Sequence, residues 1–396
     1  MKLSKYLNIG VAICISSFFL FISSSESYWI PFWKFFNIPN QIPPFSDLDS
    51  INRALLSLKQ GFNPYLENPN DITGGKYIYP KIWLYIFDFL NLQNNLNLKI
   101  FCFLIITLYF FLILDLISKY NNKLFYIIGI VFIFSKINLL IIERFNIDII
   151  IFVLSWLIII YSKFYIKLFL YILSFSLKIY PLFSILIFLE NKKKFFLTLT
   201  ISLILLVIFS EDIIMIKSNM IPYAMMIAYG FETLARGIYH YSIHMNFIIN
   251  DENYIIFKNI VILSGFLYSL LIFSINFKLG RKKIYSQLSF EENLFLLGGG
   301  IYVGTYLVAT NIDFRLIFLF FTIPLLIQNN KNIFVYIYII FYLICINSLF
   351  FEVGSRYTIS YAIKSFIIHG MKFYIYSFII YYIGKLLNKI VEIKFR

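Results

Sequence analysis

A polar interval near the N-terminus interrupts a chain that is otherwise almost continuously apolar. It reads Phe-Ser-Asp-Leu-Asp-Ser-Ile-Asn-Arg-Ala-Leu-Leu-Ser-Leu-Lys-Gln-Gly-Phe-Asn-Pro-Tyr over residues 45–65 and, after a polar link, Tyr-Ile-Tyr-Pro over residues 77–80. No other polar interval near the N-terminus is as long, and the rest of the chain is interpreted around it.

The first part of this interval predicts a short amphipathic helix. Ser46 followed by Asp49 is a capping-box pattern, which starts a helix by accepting hydrogen bonds from its free backbone amides. Gly61 and the pair Asn63-Pro64 predict a turn that ends the helix. Apolar residues recur at three- and four-residue steps and line one face: Leu48, Ile51, Leu55, Leu58 and Phe62. We therefore expect a helix that begins at Ser46 and lies against a membrane.

The two aspartates of this helix should face different directions. On a wheel of about 100° per residue, Asp47 falls at the edge of the apolar stripe and Asp49 points nearly the opposite way. Asp47 is thus the carboxylate expected to face inward. The same residues match a DxD pattern, with which many enzymes hold a divalent cation, but alternate helical residues diverge by about 200° and do not easily share one ion. We predict neither a metal site nor a cofactor.

The composition predicts a membrane protein. Hydrophobic residues make up 60% of the chain and charged residues 14%, and the mean hydropathy of +0.81 excludes a soluble globule of this size. The net charge of +14 comes from short basic clusters beside apolar runs, which indicates positive-inside placement and no nucleic-acid partner. The isolated cysteines indicate neither disulfides nor a thiolate metal site: Cys14, Cys102 and Cys345. The basic clusters mark the cytoplasmic side: Lys2 and Lys5, Lys192 to Lys194, Arg281 to Lys283, and Lys385, Lys389, Lys394 and Arg396.

Apolar runs predict an all-α membrane protein of about twelve spans in a single domain, residues 1–396, with both termini in the cytoplasm. A bacterial-type inner membrane is the expected location. The predicted spans are residues 6–24, 82–97, 98–118, 124–142, 147–161, 168–190, 195–210, 254–277, 293–310, 314–328, 333–351 and 372–388. The outer loops would be residues 25–81 and 211–253. The second span is short and contains Asp88, and this count leaves the basic turn from Lys119 to Lys123 outside. If the second span is only a half-membrane helix, the sides of the next few turns invert.

The first outer loop resembles that of the family 87 glycosyltransferases of the GT-C class. Their pattern is an aspartate, a helical turn or two, Gly-x-Asp/Asn-Pro-Tyr, and then Tyr-x-Tyr-Pro-Pro. Here it reads Asp47, then residues 61–65, then residues 77–80, with Lys81 in place of the second proline. The resemblance implies a GT-C-like helical bundle with two outer loops. Such an enzyme moves a hexose, mannose-like, from a polyprenyl-phosphate carrier to a glycan or lipid acceptor.

Charged residues within apolar runs point to a cavity, because a charge at mid-bilayer costs about 2.5 to 3.5 kcal/mol. The segment from Glu143 to Asp148, with Arg144 and Asn146, is either a polar turn at a helix hairpin or a cavity-lining motif. It resembles a Glu-Arg-Gly-Asn-x-Asp segment in relatives of the family, with Phe145 in place of the glycine. The charges considered are Asp88, Asp115, Lys136, Glu143, Arg144, Asp148, Lys178, Asp313 and Arg315.

Two further cations are candidates for an anionic substrate group. Lys178 lies near Pro181, whose ring kinks a helix, and about ten residues from either end of its predicted span, so it either snorkels to an interface or faces a cavity. Arg315, with Asp313 beside it, either anchors a helix end or binds a phosphate through paired hydrogen bonds. The family resemblance favours the phosphate.

The resemblance implies that Asp47 is the base that activates an acceptor hydroxyl during inverting transfer. Arg315, with Arg144 or Lys178, would neutralise the leaving phosphate. The other expected substrate-binding residues are Asp49, Tyr65, Tyr79, Asn146, Asp148 and Asp313. Two alternatives remain open: a transporter or flippase for a lipid-linked or anionic substrate, and a polysaccharide polymerase or ligase that relies on outer-loop Arg and His residues.

Overall fold

The computed structural model describes residues 2–72, 74–120, 122–219, 228–244, 251–279, 288–308, 311–328, 332–348 and 359–394. The chain divides into two compact units, and each is described by itself. The first unit contains Met1–Phe134, Asn138–Pro181 and Leu199–Ile221, and the second contains Ser135–Ile137, Leu182–Thr198 and Pro222–Arg396.

The described residues confirm an all-α chain with several helices long and apolar enough to cross a membrane. The α-helices are α1 Lys2–Ile22, α2 Glu26–Phe35, α3 Ser46–Lys59, α4 Ile82–Phe89, α5 Asn95–Lys119, α6 Lys123–Ile133, α7 Lys136–Arg144, α8 Asp148–Ile160, α9 Phe164–Leu177, α10 Lys192–Ile208, α11 Ser210–Asn219, α12 Phe231–His244, α13 Asp251–Leu279, α14 Phe290–Val308, α15 Ile323–Gln328, α16 Ile333–Cys345 and α17 Ile359–Lys394. The 3-10 helices are Tyr180–Glu190 and Asp313–Thr322, and the strands are β1 Ala228–Tyr229 and β2 Asn311–Ile312, which pair antiparallel.

Four helices of the described chain are long and apolar enough to cross a membrane. They are Lys5–Ile22, Asn95–Lys119, Asn253–Phe277 and Ile363–Asn388. The number rises to six if two bent pairs each count as one span, namely α6 with α7, bent by 43°, and α10 with α11, bent by 62°. Four apolar helices are shorter, at 10–17 residues: Asp148–Ile160, Phe164–Leu177, Tyr180–Leu189 and Ile333–Cys345. The count of about twelve spans stays a prediction.

The predicted second span, residues 82–97, is wrong. Its helix, α4, has eight residues, about 12 Å, too short for a hydrocarbon core of about 30 Å. The chain then turns, and the Asn94 side chain caps α5 by accepting a hydrogen bond from the Leu96 N–H at 2.8 Å. Asp88, expected within a span, is exposed and pairs with Lys59 at 2.6 Å. The sequence does carry a signal for this turn, because five of the seven residues 91–97 have amide side chains: Asn91, Gln93, Asn94, Asn95 and Asn97.

The predicted span over residues 168–190 is also wrong, since it is broken at Lys178. Helix α9 ends at Leu177, Lys178 has extended backbone angles, and a 3-10 helix follows from Tyr180. Pro181 lacks the N–H that a continuous helix would need there. Helices α8 and α9 pack against each other as a hairpin, and each is only about 20 Å long.

Helix α3 begins at Ser46, as predicted, but the capping box is wrong. Phe45 is the N-cap residue, its φ of 62° is left-handed, and no side chain caps the helix. Gly61, with φ of 90°, follows the helix end as predicted. The apolar face is confirmed in part. Leu48, Ile51 and Leu55 are buried, whereas Leu58 and Phe62 are more than a third exposed.

The second unit is built around close helix contacts. Helix α13 packs on α17, and α14 packs on the 3-10 helix Asp313–Thr322. A Cβ atom at Gly298 would collide with the Phe318 carbonyl oxygen, and one at Gly299 would lie 2.7 Å from the Ile379 side chain. Gly298 therefore allows the close approach of α14 to the 3-10 helix that carries Asp313 and Arg315, and Gly299 allows the close approach of α14 to α17. The basic cluster from Arg281 to Lys283 lies outside the described residues.

Candidate functional site

The site in the first unit is a hydrogen-bonded network centred on Asn146. Its Nδ2 atom donates to Asp47 Oδ2 at 2.5 Å, and its Oδ1 atom accepts from the Asp148 N–H at 3.0 Å and from Lys178 Nζ at 3.2 Å. Lys178 also forms an ion pair with Asp148, and the Tyr180 hydroxyl donates to Asp148 Oδ1 at 2.8 Å. Asn146 thus links the aspartate of α3 to the start of α8 and the end of α9.

The end of α7 also fixes where α3 begins. The Glu143 backbone carbonyl accepts a hydrogen bond from the Phe45 N–H at 3.2 Å, and Glu143 Oε1 accepts from the Gln41 N–H at 2.7 Å. The Gln41 carbonyl in turn accepts from Trp29 Nε1 at 3.3 Å. The side chains of Glu143 and Trp29 are fully buried, so these bonds are partly shielded from water. They hold the residues before α3 and so set the position of Asp47.

Phe145 adopts the backbone conformation that glycine reaches without steric cost. Its φ is 47°, in the left-handed region, and its ring is fully buried. The ring packs edge to face on Phe45, with centroids 5.7 Å apart, and lies 6.0 Å from the ring of Phe101. The turn between α7 and α8 is therefore strained in its backbone and stabilised by aromatic packing. This is the position at which the resembled segment has glycine.

Burial raises the pKa of the half-buried Asp47 carboxyl above its ordinary value. The Arg144 guanidinium opposes this rise most strongly, followed by the Asn146 hydrogen bond, the Lys178 ammonium and the Tyr79 hydroxyl. A carboxylate with a raised pKa is a stronger base than an exposed aspartate, and the surrounding donors favour its ionised form. The arrangement can accept a proton from a substrate hydroxyl.

The two cations of the network already have carboxylate partners. Arg144 Nε lies 2.9 Å from Glu143 Oε2, and Lys178 is paired with Asp148. Three carboxylates, those of Asp47, Glu143 and Asp148, face two cations, so the ionised network has a net charge of −1. An added phosphate would have to compete with Glu143 for Arg144 and with Asp148 for Lys178.

The rest of the first loop positions Tyr79 next to Asp47. Tyr79 is buried, and its hydroxyl favours the ionised form of Asp47. The Tyr65 hydroxyl donates to the Tyr79 carbonyl at 2.7 Å, and the Tyr77 N–H donates to the Pro64 carbonyl at 2.9 Å. Substrate binding by Tyr65 stays a prediction, and in the structure its hydroxyl donates to the chain at Tyr79.

Asp49 lies apart from the Asp47 network. It forms an i,i+4 ion pair with Arg53 at 2.5 Å, and Arg53 also donates to the Asn70 carbonyl at 3.1 Å. The two aspartates have different partners. Within the residues that the structure describes, no group of three or more His, Cys, Asp or Glu side chains could hold a metal ion.

Asp313 and Arg315 belong to the second unit. Asp313 is fully buried, and its Oδ1 and Oδ2 atoms accept hydrogen bonds from Lys372 Nζ at 2.8 and 2.6 Å. Its Oδ2 atom also accepts a hydrogen bond from Ser348 Oγ at 3.0 Å. Lys372 Nζ also donates to the Ala228 carbonyl at 3.1 Å, so this pair joins α17 to β1. Arg315 lies half-buried on the same 3-10 helix as Asp313.

Sequence reasoning missed three residues of these networks. Glu143 opened the candidate cavity-lining motif but was not chosen as a site residue, and Tyr180 and Lys372 were not considered. Tyr180 had a signal, because extended backbone before Pro181 puts residues two apart on one side, next to Lys178. Nothing local marks Lys372 as the partner of Asp313, which lies 59 residues earlier.

Comparison with known proteins identifies no matching family model, no similar curated protein and no similar solved structure.

Proposed function

We propose that this protein is a GT-C-like membrane glycosyltransferase, similar to family 87, that takes a hexose from a polyprenyl-phosphate carrier. The observation that carries the proposal is the setting of Asp47. This carboxylate lies half-buried at the start of an amphipathic helix outside the long apolar helices. It accepts a hydrogen bond from Asn146 and lies near the charges of Arg144 and Lys178. A base held in this way suits transfer to a hydroxyl group.

In the proposed reaction, the Asp47 carboxylate takes the proton of the acceptor hydroxyl as that oxygen attacks the anomeric carbon. The bond between this carbon and the phosphate oxygen breaks with inversion, and the carrier phosphate leaves with the bonding electrons. Asn146 holds one oxygen of Asp47, and Arg144 and Lys178 oppose the rise in the pKa of Asp47 that burial causes.

The proposed membrane arrangement begins from contacts of the first unit. Residues 143–148 bond directly to α3, so both are assigned to the outer side. Because α4 is too short to cross, α5 is the next crossing after α1, and the basic turn from Lys119 to Lys123 is assigned to the inner side. The bent pair α6 and α7 then returns the chain to the outer side at Glu143. This assignment follows the positive-inside rule where the sequence-based count did not.

The remaining crossings also agree with the positive-inside rule. Helices α8 and α9 run inward and outward, and the 3-10 helix Tyr180–Glu190 runs inward to the basic cluster at Lys192. The proposed GT-C-like bundle has twelve crossings when the short apolar helices are counted: α1, α5, α6 with α7, α8, α9, Tyr180–Glu190, α10, α13, α14, Asp313–Gln328, α16 and α17. An even number leaves both termini in the cytoplasm.

A donor assay tests the proposed function. Purified protein in lipid vesicles is given matched nucleotide-linked and polyprenyl-phosphate-linked sugars, with and without EDTA. We expect transfer from the lipid donor alone, unaffected by the chelator. Asp47→Asn should abolish this transfer, and Asp49→Asn, in the same helical turn, should retain it. Transfer from the nucleotide donor or loss in EDTA would overturn the mechanism. Movement of the intact lipid-linked sugar across the vesicle membrane without transfer would favour the flippase.

A further inference from the structure

Helix α11 makes direct hydrogen bonds to the first loop, 130 to 155 residues earlier in the chain. Asn219 Nδ2 donates to the Tyr65 carbonyl at 2.8 Å and to the Tyr77 carbonyl at 3.2 Å. One amide group therefore satisfies two backbone acceptors at separate points of the loop. The 62° bend between α10 and α11 turns α11 away from the direction of α10.

Asp212, two turns earlier on α11, holds a third point of the loop. Its Oδ2 atom accepts a hydrogen bond from the Lys81 N–H at 3.0 Å, and its side chain is buried. The same carboxylate interacts electrostatically with the Tyr65 hydroxyl, and this hydroxyl donates a hydrogen bond to the Tyr79 carbonyl. The bonds from α11 thus reach the loop on both sides of Tyr79.

We propose that Asp212 and Asn219 are positioning residues that hold the first loop so that the Tyr79 hydroxyl stays beside Asp47. The inference rests on the proposed function and extends its machinery to α11. Neither residue touches Asp47, and both act through the backbone of the loop. The region of residues 210–219 becomes part of the site.

The hydrogen bonds from Asp212 and Asn219 to the first loop, called the clamp below, also affect the titration of Asp47. The charged and titratable groups that face this carboxylate are Arg144 and Glu143 of α7, Lys178 after α9, and Tyr79 of the loop. Tyr79 favours the ionised form, so its displacement raises the pKa of Asp47 further. The acid limb of the rate profile then moves to higher pH, by about one unit for the loss of one hydrogen bond to a charged group.

The first experiment compares pH–rate profiles of the full-length protein in lipid. Asn219→Ala should shift the acid limb upward by about one pH unit, and Ile214→Ala, an exposed position of α11, should not. Tyr79→Phe should give a similar shift, and the double variant Asn219→Ala/Tyr79→Phe should shift no further. Additive shifts, or a profile for Asn219→Ala that matches wild type, would overturn the proposal.

The second measurement does not depend on activity. Hydrogen–deuterium exchange of peptides covering residues 65–81 should be faster in Asn219→Ala and Asp212→Ala than in wild type or Ile214→Ala. Asp212→Asn keeps an acceptor for the Lys81 N–H and should preserve protection. A wild-type protein that transfers no sugar would refute the proposed function alone, whereas unchanged exchange in both alanine variants would refute the clamp.

Discussion

Replacing Asn146 by aspartate tests whether Asp47 is the base in an Asn146-centred network. The substitution preserves the shape of the side chain but replaces an N–H donor, 2.5 Å from Asp47 Oδ2, with a carboxylate oxygen. Two carboxylates that share a site cannot both ionise without a large cost, so they retain one proton to higher pH. We therefore expect Asn146→Asp to move the acid limb of the rate profile upward.

The size of the shift follows from the geometry. Two unit charges about 4 Å apart, at an effective dielectric constant of about 20, repel by about 4 kcal/mol, which corresponds to about three pKa units. Arg144 and Lys178 offset part of this repulsion, so a shift of about one to three units is expected. The sign is fixed by the chemistry. A base works when ionised, and burial already raises the pKa of Asp47, so after a further rise the variant needs a higher pH than wild type to regain its activity.

The assay is transfer from the lipid-linked donor between pH 5 and about 9.5. Asn146→Ala removes the donor without adding charge and should shift the limb by about one unit or less. Asn63→Asp adds a carboxylate at an exposed position of the first loop, keeps the acceptor for the Tyr65 N–H, and should leave the profile unchanged. If Asn146→Asp gives the wild-type limb, or loses activity equally at every pH while folded, Asp47 is not the titrating base.

Three further predictions concern stability and topology. Lys372→Met should destabilise the protein by about 3 to 5 kcal/mol because it leaves the Asp313 charge buried alone, and the double variant with Asp313→Asn should recover much of the loss in thermal unfolding; equal loss in both would contradict the pairing. Phe145→Gly should be more stable than Phe145→Ala by about 1 kcal/mol, since only alanine retains the left-handed strain; the reverse order would contradict this. In a background whose exposed native cysteine is replaced, an impermeant thiol reagent should label Gln60→Cys in intact cells and Lys123→Cys only after permeabilisation; labelling of both in intact cells would contradict the proposed arrangement.

The local features of the site region could be predicted from sequence where periodicity is strong. The three- and four-residue spacing of Leu48, Ile51 and Leu55 placed α3 correctly, and it turned Asp47 away from Asp49. The cap failed because the backbone before Ser46 is held by Glu143, nearly a hundred residues later, and a left-handed Phe45 replaces the expected side-chain cap. Local sequence preference cannot include a distant hydrogen bond.

Breaks within apolar runs could not be predicted in the same way. The run that contains Lys178 has the hydropathy of one long span, yet one helix ends and another begins within it. Lys178 lies at this break, and its ion pair with Asp148 offsets the cost of burying the lysine. The division of the chain into two units and the Asp313–Lys372 pair depend likewise on contacts between remote residues. Hydropathy measures how much of a segment prefers lipid, and it carries no information on partners within the fold.

The short hairpin of α8 and α9 has a consequence for the surrounding lipid. In the proposed arrangement its two helices span about 20 Å of a hydrocarbon layer about 30 Å thick, and their outer ends carry Asp148 and Lys178. Lipids beside such a hairpin must thin locally, or water must enter above its outer end. Either outcome makes a depression in the leaflet, and a lipid headgroup that sinks into it is brought closer to the depth of the site. Bilayer thickness then becomes a variable that controls how readily a lipid-borne substrate is captured.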